Sequence, residues 1–119
     1  MEGLCAALMA VTNSLEADVI QRLRRDARAT LGRDHAALIR AEAANARAIV
    51  DDAEQYVAKV VGDVQQRIHD EFVETSWPRC PRHPHHPLWY HGGAWVCEQD
   101  GIAVARLGEL TGSGTGLAG

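Results

Sequence analysis

Residues Trp77 to Gly101 read WPRCPRHPHHPLWYHGGAWVCEQDG and decide how the chain is divided. All four prolines of the protein fall in this stretch, together with two of its three cysteines and four of its six histidines. Proline ends a helix because it lacks an N–H group and its ring restricts the residue before it. Pro78 therefore predicts the end of a helical region, and the clustered Cys and His residues predict a metal-dependent module after it.

A β-hairpin is predicted around Gly92-Gly93, because two successive glycines favour the tight turn that joins antiparallel strands. The register that this turn sets pairs His91 with Ala94, Tyr90 with Trp95, Trp89 with Val96, and Leu88 with Cys97. Side chains alternate between the two faces of a strand. His86 and Cys97 are therefore expected on one face, at the open end of the hairpin.

The Cys80-x2-His83 spacing is that of a zinc knuckle, in which a tight turn brings two ligands to one ion. The open end of the hairpin offers two further donors, Cys97 and His86. Asp100 is an alternative fourth ligand, because Cys97-x2-Asp100 repeats the first spacing and a carboxylate oxygen can bind zinc. We predict one structural zinc ion on Cys80, His83, His86 and Cys97, with Asp100 as the rival of His86.

The module over residues 77–110 has too little apolar volume to build a core of its own, and a metal would compensate for this. A disulfide between Cys80 and Cys97, or two unconnected thiols, are the alternatives. Residues 102–107 alternate in polarity and predict a third strand, which would complete a zinc-ribbon-like plan. The glycine-rich residues 111–119 predict a flexible tail.

Residues 1–76 form the helical region of the prediction and contain no proline. A first helix is expected over about residues 14–31, with Asn13 and Glu16 as its capping box. A second is expected over about residues 35–75. Its apolar residues are spaced alternately four and three apart, as in the heptad seam of a coiled coil: Ile39, Ala43, Ala46, Val50, Ala53, Val57, Val60 and Val64. The long helix could self-associate through this seam, fold back on the first helix as an αα-hairpin, or do both.

Charge and composition narrow the class of protein. Hydrophobic residues make up 46% of the chain but aromatic residues only 5%, which favours helix–helix contact or oligomerisation over a large core. The net charge of −4 argues against a general polyanion binder. The basic cluster Arg22, Arg24, Arg25 and Arg28 could contact phosphate, but Asp18 and Asp26 interleave it.

Nothing at the N-terminus resembles a signal peptide. The apolar run from residue 4 to residue 11 follows Glu2 rather than a basic stretch and is far too short to span a bilayer. We therefore expect a soluble protein without a membrane partner, made in a reducing cytoplasm.

The module over about Trp77 to Leu110 resembles the C-terminal module of small helical proteins encoded by tailed bacteriophages of actinobacteria. The residues that carry the resemblance are Trp77-Pro78-x-Cys80-Pro81-x-His83, His86-Pro87-Leu88, Trp95-x-Cys97 and Val104-Ala105-Arg106-x-Gly108. The resemblance implies a virion component, near the capsid or the head–tail joint, that assembles in the host cytoplasm.

The predicted function is accordingly that of a structural protein, with protein partners in a larger assembly and a homo-oligomeric state. The alternative is a nucleic-acid-binding or regulatory zinc-ribbon protein, which the charge does not favour. We do not expect an enzyme, because a catalytic zinc needs an open coordination position and the four-ligand set closes the shell.

Overall fold

The fold was obtained as a computed structural model, which describes residues 11–72, 77–83 and 85–111. Over these residues the chain forms three helices followed by a small sheet: α1 (Asn13–Leu31), α2 (Ala36–Arg47), α3 (Ala53–Phe72), β1 (Trp89–His91), β2 (Ala94–Cys97) and β3 (Ile102–Arg106). The prediction of a mainly helical protein that ends in a small β module is confirmed. The predicted tail lies outside the described residues from residue 112 onward.

The ends of α1 are set by its flanking residues. Thr12 rather than Asn13 caps the helix, because its Oγ1 accepts a hydrogen bond from the Leu15 N–H at 3.0 Å. The helix ends at Gly32, where the φ angle is 81° and the N–H donates to the carbonyl of Arg28. Glycine adopts this left-handed conformation without the steric penalty of other residues, so the helix ends at residue 31, as predicted.

The prediction of one continuous helix over residues 35–75 is wrong, because the chain turns between α2 and α3. The N–H groups of Ile49 and Val50 both donate to the carbonyl of Ala46, at 3.0 and 2.9 Å, which closes the end of α2. The Asp52 carboxylate then accepts the Gln55 N–H at 3.0 Å and caps a new helix. The alternating four- and three-residue spacing of apolar residues continues through this turn, so the sequence pattern does not indicate the break between the two helices. Residues 73–75 lie outside the described residues.

Five of the eight residues of the heptad seam are fully buried inside the fold. The seam residues with 0% exposure are Ile39, Ala43, Ala46, Val60 and Val64. Helix α2 packs against both α1 and α3, and α1 also contacts α3. Folding back buries the apolar seam within one chain, which a single extended helix could achieve only by binding another molecule. The folded-back interpretation therefore describes the chain, with three helices where two were expected.

The sheet is antiparallel with strand order β1-β2-β3. Strand β1 pairs with β2 in the predicted register, and Gly92 and Gly93 both have positive φ angles, of 58° and 92°. The predicted third strand is present as β3, which pairs with β2 through an irregularity between Trp95 and Val96. The Gly92-Gly93 turn thus predicts the β1–β2 hairpin, and the alternating polarity of residues 102–107 predicts the third strand.

The module and the helices share one hydrophobic core. Trp77, Leu88 and Trp95 are buried in it, and the Trp77 and Trp95 rings meet edge to face with centroids 5.7 Å apart. Gln65 of α3 donates from Nε2 to the carbonyls of Trp77 and Leu88, at 3.1 and 2.7 Å. The boundary at residue 77 therefore separates two kinds of local structure that pack on each other.

Candidate metal centre

The turn from Cys80 to His86 is held by backbone hydrogen bonds. The Cys80 N–H donates to the His86 carbonyl at 3.1 Å, and the His86 N–H donates to the His83 carbonyl at 2.9 Å. Beyond the turn, the Leu88 N–H donates to the Pro78 carbonyl at 2.7 Å. These bonds fold the Pro-His stretch back on itself, so that Cys80 and His83 reach the open end of the hairpin.

Cys97 ends β2 and begins a second tight turn. The Gly101 N–H donates to the Cys97 carbonyl at 2.8 Å, and the φ angle of Gly101 is 69°. The Asp100 N–H donates to the Cys97 Sγ at 3.4 Å. This N–H group therefore supports the Cys97 sulfur from the side of the second turn.

Three ligand-type atoms converge between the two turns. The Cys80 Sγ lies 3.6 Å and the Cys97 Sγ 3.4 Å from the His83 Nδ1, and all three atoms lie within 4.8 Å of one another. With bonds of about 2.3 Å to sulfur and about 2.0 Å to nitrogen, a tetrahedral zinc separates such ligand atoms by about 3.5 Å. The residues therefore lie close enough to hold one metal ion. Cys80 and Cys97 are free thiols, so the disulfide alternative is not formed.

The two candidates for the fourth ligand lie just outside this group. His86 is exposed, and its ring centroid is 6.2 Å from that of His83. The Asp100 Oδ1 is 3.9 Å from the His83 Nε2, the ring nitrogen that is not turned toward the two sulfurs. Among the described residues, Cys80, His83 and Cys97 form the group that could hold a metal. Three of the four predicted ligands are thus brought together.

A buried carboxylate that sequence reasoning missed joins the module to the helices. Asp26 of α1 has 0% exposure. Its Oδ2 accepts the Trp95 Nε1–H and the Gly108 N–H, both at 2.8 Å, and its Oδ1 accepts the Leu110 N–H at 3.0 Å. Burial raises the pKa of the Asp26 carboxyl above its ordinary value, and the three hydrogen bonds oppose that rise.

The sequence position of Asp26 indicates burial, although its charge suggests a surface residue. Its place among the arginines of α1 favours the interpretation that it interrupts a basic surface cluster. It falls three residues after Leu23 and directly before Ala27, on the buried stripe of α1. An acidic residue on an apolar stripe needs buried hydrogen-bond donors, and this pattern was available from the sequence.

The arginine cluster on α1 is largely engaged within the protein. Arg22 pairs with Asp18 at 2.7 Å, and Asp34 accepts Arg24 at 2.7 Å and Arg28 at 3.4 Å. The hydrogen bond from Arg24 lowers the pKa of Asp34. Arg22 also donates to the Leu107 carbonyl at 3.0 Å. These contacts weigh against phosphate as the partner of the cluster.

No protein-family model matches this sequence, and the comparisons with curated proteins and with solved structures find no significant similarity. Across the described residues, every helix is too short or too polar to cross a membrane.

Proposed function

We propose that this protein is a non-catalytic structural protein whose C-terminal module is closed by one Zn²⁺ ion. The observation that carries the proposal is the convergence of the Cys80 and Cys97 sulfurs on the His83 Nδ1, at 3.6 and 3.4 Å. We assign His86 as the fourth ligand. A closed set of Cys and His ligands is typical of structural zinc sites.

The chemistry of the donors favours zinc over a hard cation. Thiolates and imidazoles suit zinc, whereas magnesium and calcium prefer oxygen ligands. Cys80 and Cys97 are almost fully buried, at 1% and 2% exposure. Two thiolates also neutralise the charge of Zn²⁺, which lowers the free-energy cost of holding the ion away from water.

The ion would connect segments that the small sheet does not pair directly. Cys80 and His83 belong to the first turn, and Cys97 lies at the end of β2. Metal bonds between these segments form only in the folded chain, so the free energy of metal binding adds to the free energy of folding. The module therefore gains a rigidity that its three short strands alone do not supply.

We assign the outer face of the module to contact with a protein partner in a larger assembly. Trp89, Val96 and Ala103 are paired across the three strands and share this face. Trp89 is 43% exposed and so offers aromatic surface to a partner. The heptad seam of the helices packs within the chain. The outer face of the module is therefore a better interface for assembly than that seam. The resemblance of residues 77–110 to phage proteins supports a place in a virion.

The zinc proposal is tested by elemental analysis together with the native mass of the purified protein. We expect one zinc per chain and a multimeric mass. His83→Asn should release the zinc, whereas His91→Asn is a matched control that retains it, because His91 is exposed at the turn end of β1. The near-ultraviolet circular dichroism of the Trp77–Trp95 pair reports whether the module stays folded. Zinc-free protein after purification and refolding with zinc would refute the proposal.

A further inference from the structure

We infer that Asp100 is a positioning residue of this centre and not a metal ligand. With zinc bound, an approach of about 1 Å from the present 3.9 Å lets its carboxylate accept the N–H of the His83 Nε2 and hold the imidazole with Nδ1 toward the two thiolates. The inference rests on the proposed function, since it specifies how the same zinc site is built. It also decides between the two candidates for the fourth ligand.

The two nitrogens of the His83 ring face different groups. Nδ1 lies against the sulfurs of Cys80 and Cys97, while Nε2 lies 3.9 Å from the Asp100 Oδ1. A neutral imidazole has one N–H and one lone pair, so a lone pair at Nδ1 requires the proton at Nε2. Metal-bound histidines commonly donate that second N–H to a carboxylate, which fixes the tautomer and the orientation of the ring. Asp100 stands where such a carboxylate is needed.

Asp100 is held in this position from two sides. Its Oδ2 accepts the Arg82 Nε–H at 2.7 Å, which leaves Oδ1 directed at His83. Its backbone N–H donates to the Cys97 Sγ at 3.4 Å. The residue therefore supports the Cys97 sulfur through its backbone N–H, while its carboxylate pairs with Arg82 and faces the His83 Nε2 on the outer side of the site.

The engagement of Asp100 favours the same assignment. Its carboxylate pairs with the Arg82 guanidinium at 2.7 Å, and Zn²⁺ with two thiolates and two imidazoles is neutral without it. Two imidazoles bound to one tetrahedral zinc have ring centroids about 5 Å apart, as follows from bonds of about 2.0 Å to nitrogen. The His83 and His86 centroids are 6.2 Å apart, so the exposed His86 ring must move about 1 Å closer to join the shell.

The inference is tested with Asp100→Ala and Asp100→Asn in the full chain, and with Glu98→Ala as a matched control. Glu98 is an exposed carboxylate two residues away in the same turn. Zinc affinity is measured by competition with a chelator, and cobalt absorption spectra report the ligand set. We expect Asp100→Ala to weaken zinc binding about 10- to 100-fold with an unchanged cobalt spectrum. Glu98→Ala should alter neither, and His86→Ala should change the spectrum.

Ring nitrogen shifts in nuclear magnetic resonance separate a positioning role from a general loss of stability. In the zinc-loaded protein we expect a metal-bound Nδ1 and a protonated, exchange-protected Nε2 on His83. Asp100→Ala should lose the protection of the Nε2 proton while Nδ1 stays bound.

Three results would overturn the inference: a changed cobalt spectrum in Asp100→Ala, unchanged zinc affinity in that variant, or zinc bound through the His83 Nε2. Failure of the unmodified protein to bind zinc would instead refute the proposed function itself.

Discussion

The indole N–H of Trp95 donates to the carboxylate of Asp26 at 2.8 Å and joins β2 to α1 across 69 residues of sequence. The same carboxylate accepts the N–H groups of Gly108 and Leu110, which follow β3. One buried side chain on a helix thus organises both ends of the segment that carries Cys97. The position of the candidate metal centre on the helices depends on this carboxylate.

Asp26→Asn should lower the free energy of unfolding by about 1–3 kcal/mol. The substituted amide turns an N–H donor toward groups that are themselves donors, so at least one buried hydrogen bond is replaced by a repulsive contact. Urea denaturation of the zinc-loaded protein measures the effect. Asp18→Asn is the control, because Asp18 forms an exposed i, i+4 pair with Arg22 worth at most about 0.5 kcal/mol. Equal losses in the two variants would contradict a special role for Asp26.

The difference in stability between the unmodified protein and Asp26→Asn should depend on pH, and the pKa of Asp26 gives the sign of this dependence. Burial raises the folded pKa of Asp26 above the ordinary value of 3.8. A raised folded pKa stabilises the protein below the unfolded pKa, and this contribution is lost as the pH rises through the folded pKa. The stability of the unmodified protein relative to Asp26→Asn should therefore decline as the pH rises above about 4. Metal release in acid is measured separately in both proteins, so that its contribution can be subtracted. A relative stability that rises over this interval would show that the hydrogen bonds outweigh burial.

Gly108→Ala should destabilise the contact between the module and α1. An added Cβ would lie 2.8 Å from the Arg22 Cγ, and the φ angle of Gly108 is 91°. The conformation alone costs about 1–2 kcal/mol for a residue with a side chain. Thermal unfolding measures the loss. Gly62→Ala is the matched control on α3, where an added Cβ meets nothing within 4 Å, and it should stabilise the helix by about 0.5–1 kcal/mol. If Gly108→Ala is as stable as Gly62→Ala, the close packing on Arg22 is disproved.

Gln65→Leu should cost about 1–3 kcal/mol, because it leaves the Leu88 carbonyl without its buried side-chain donor. The Trp77 carbonyl loses one donor but keeps the His69 Nε2 at 2.8 Å. Gln66→Leu is the control, since the Gln66 amide contacts Asp70 at an exposed position. Chemical denaturation followed by tryptophan fluorescence compares the two variants. Indistinguishable midpoints would show that the Gln65 bonds add no net stability.

The parts of the candidate site that depend on turns and short spacings could be predicted from the sequence. Gly92-Gly93 sets the register of the hairpin, and the Cys80-x2-His83 spacing sets the first turn. Both depend on residues that are close in sequence, so turn chemistry and strand alternation are sufficient. Sequence alone does not select the fourth ligand between His86 and Asp100, because the choice depends on how two separate turns face each other.

Local sequence patterns were enough to predict the helical character of the first part, the hairpin register and the convergence of Cys80, His83 and Cys97. Tertiary structure alone decided that the heptad seam turns back at Asp52 and that Asp26 lies buried beneath the module. The spacing of apolar residues indicates which side chains are buried, but it does not indicate which segment of the chain packs against them. Burial against a distant segment is a property of the whole packed chain.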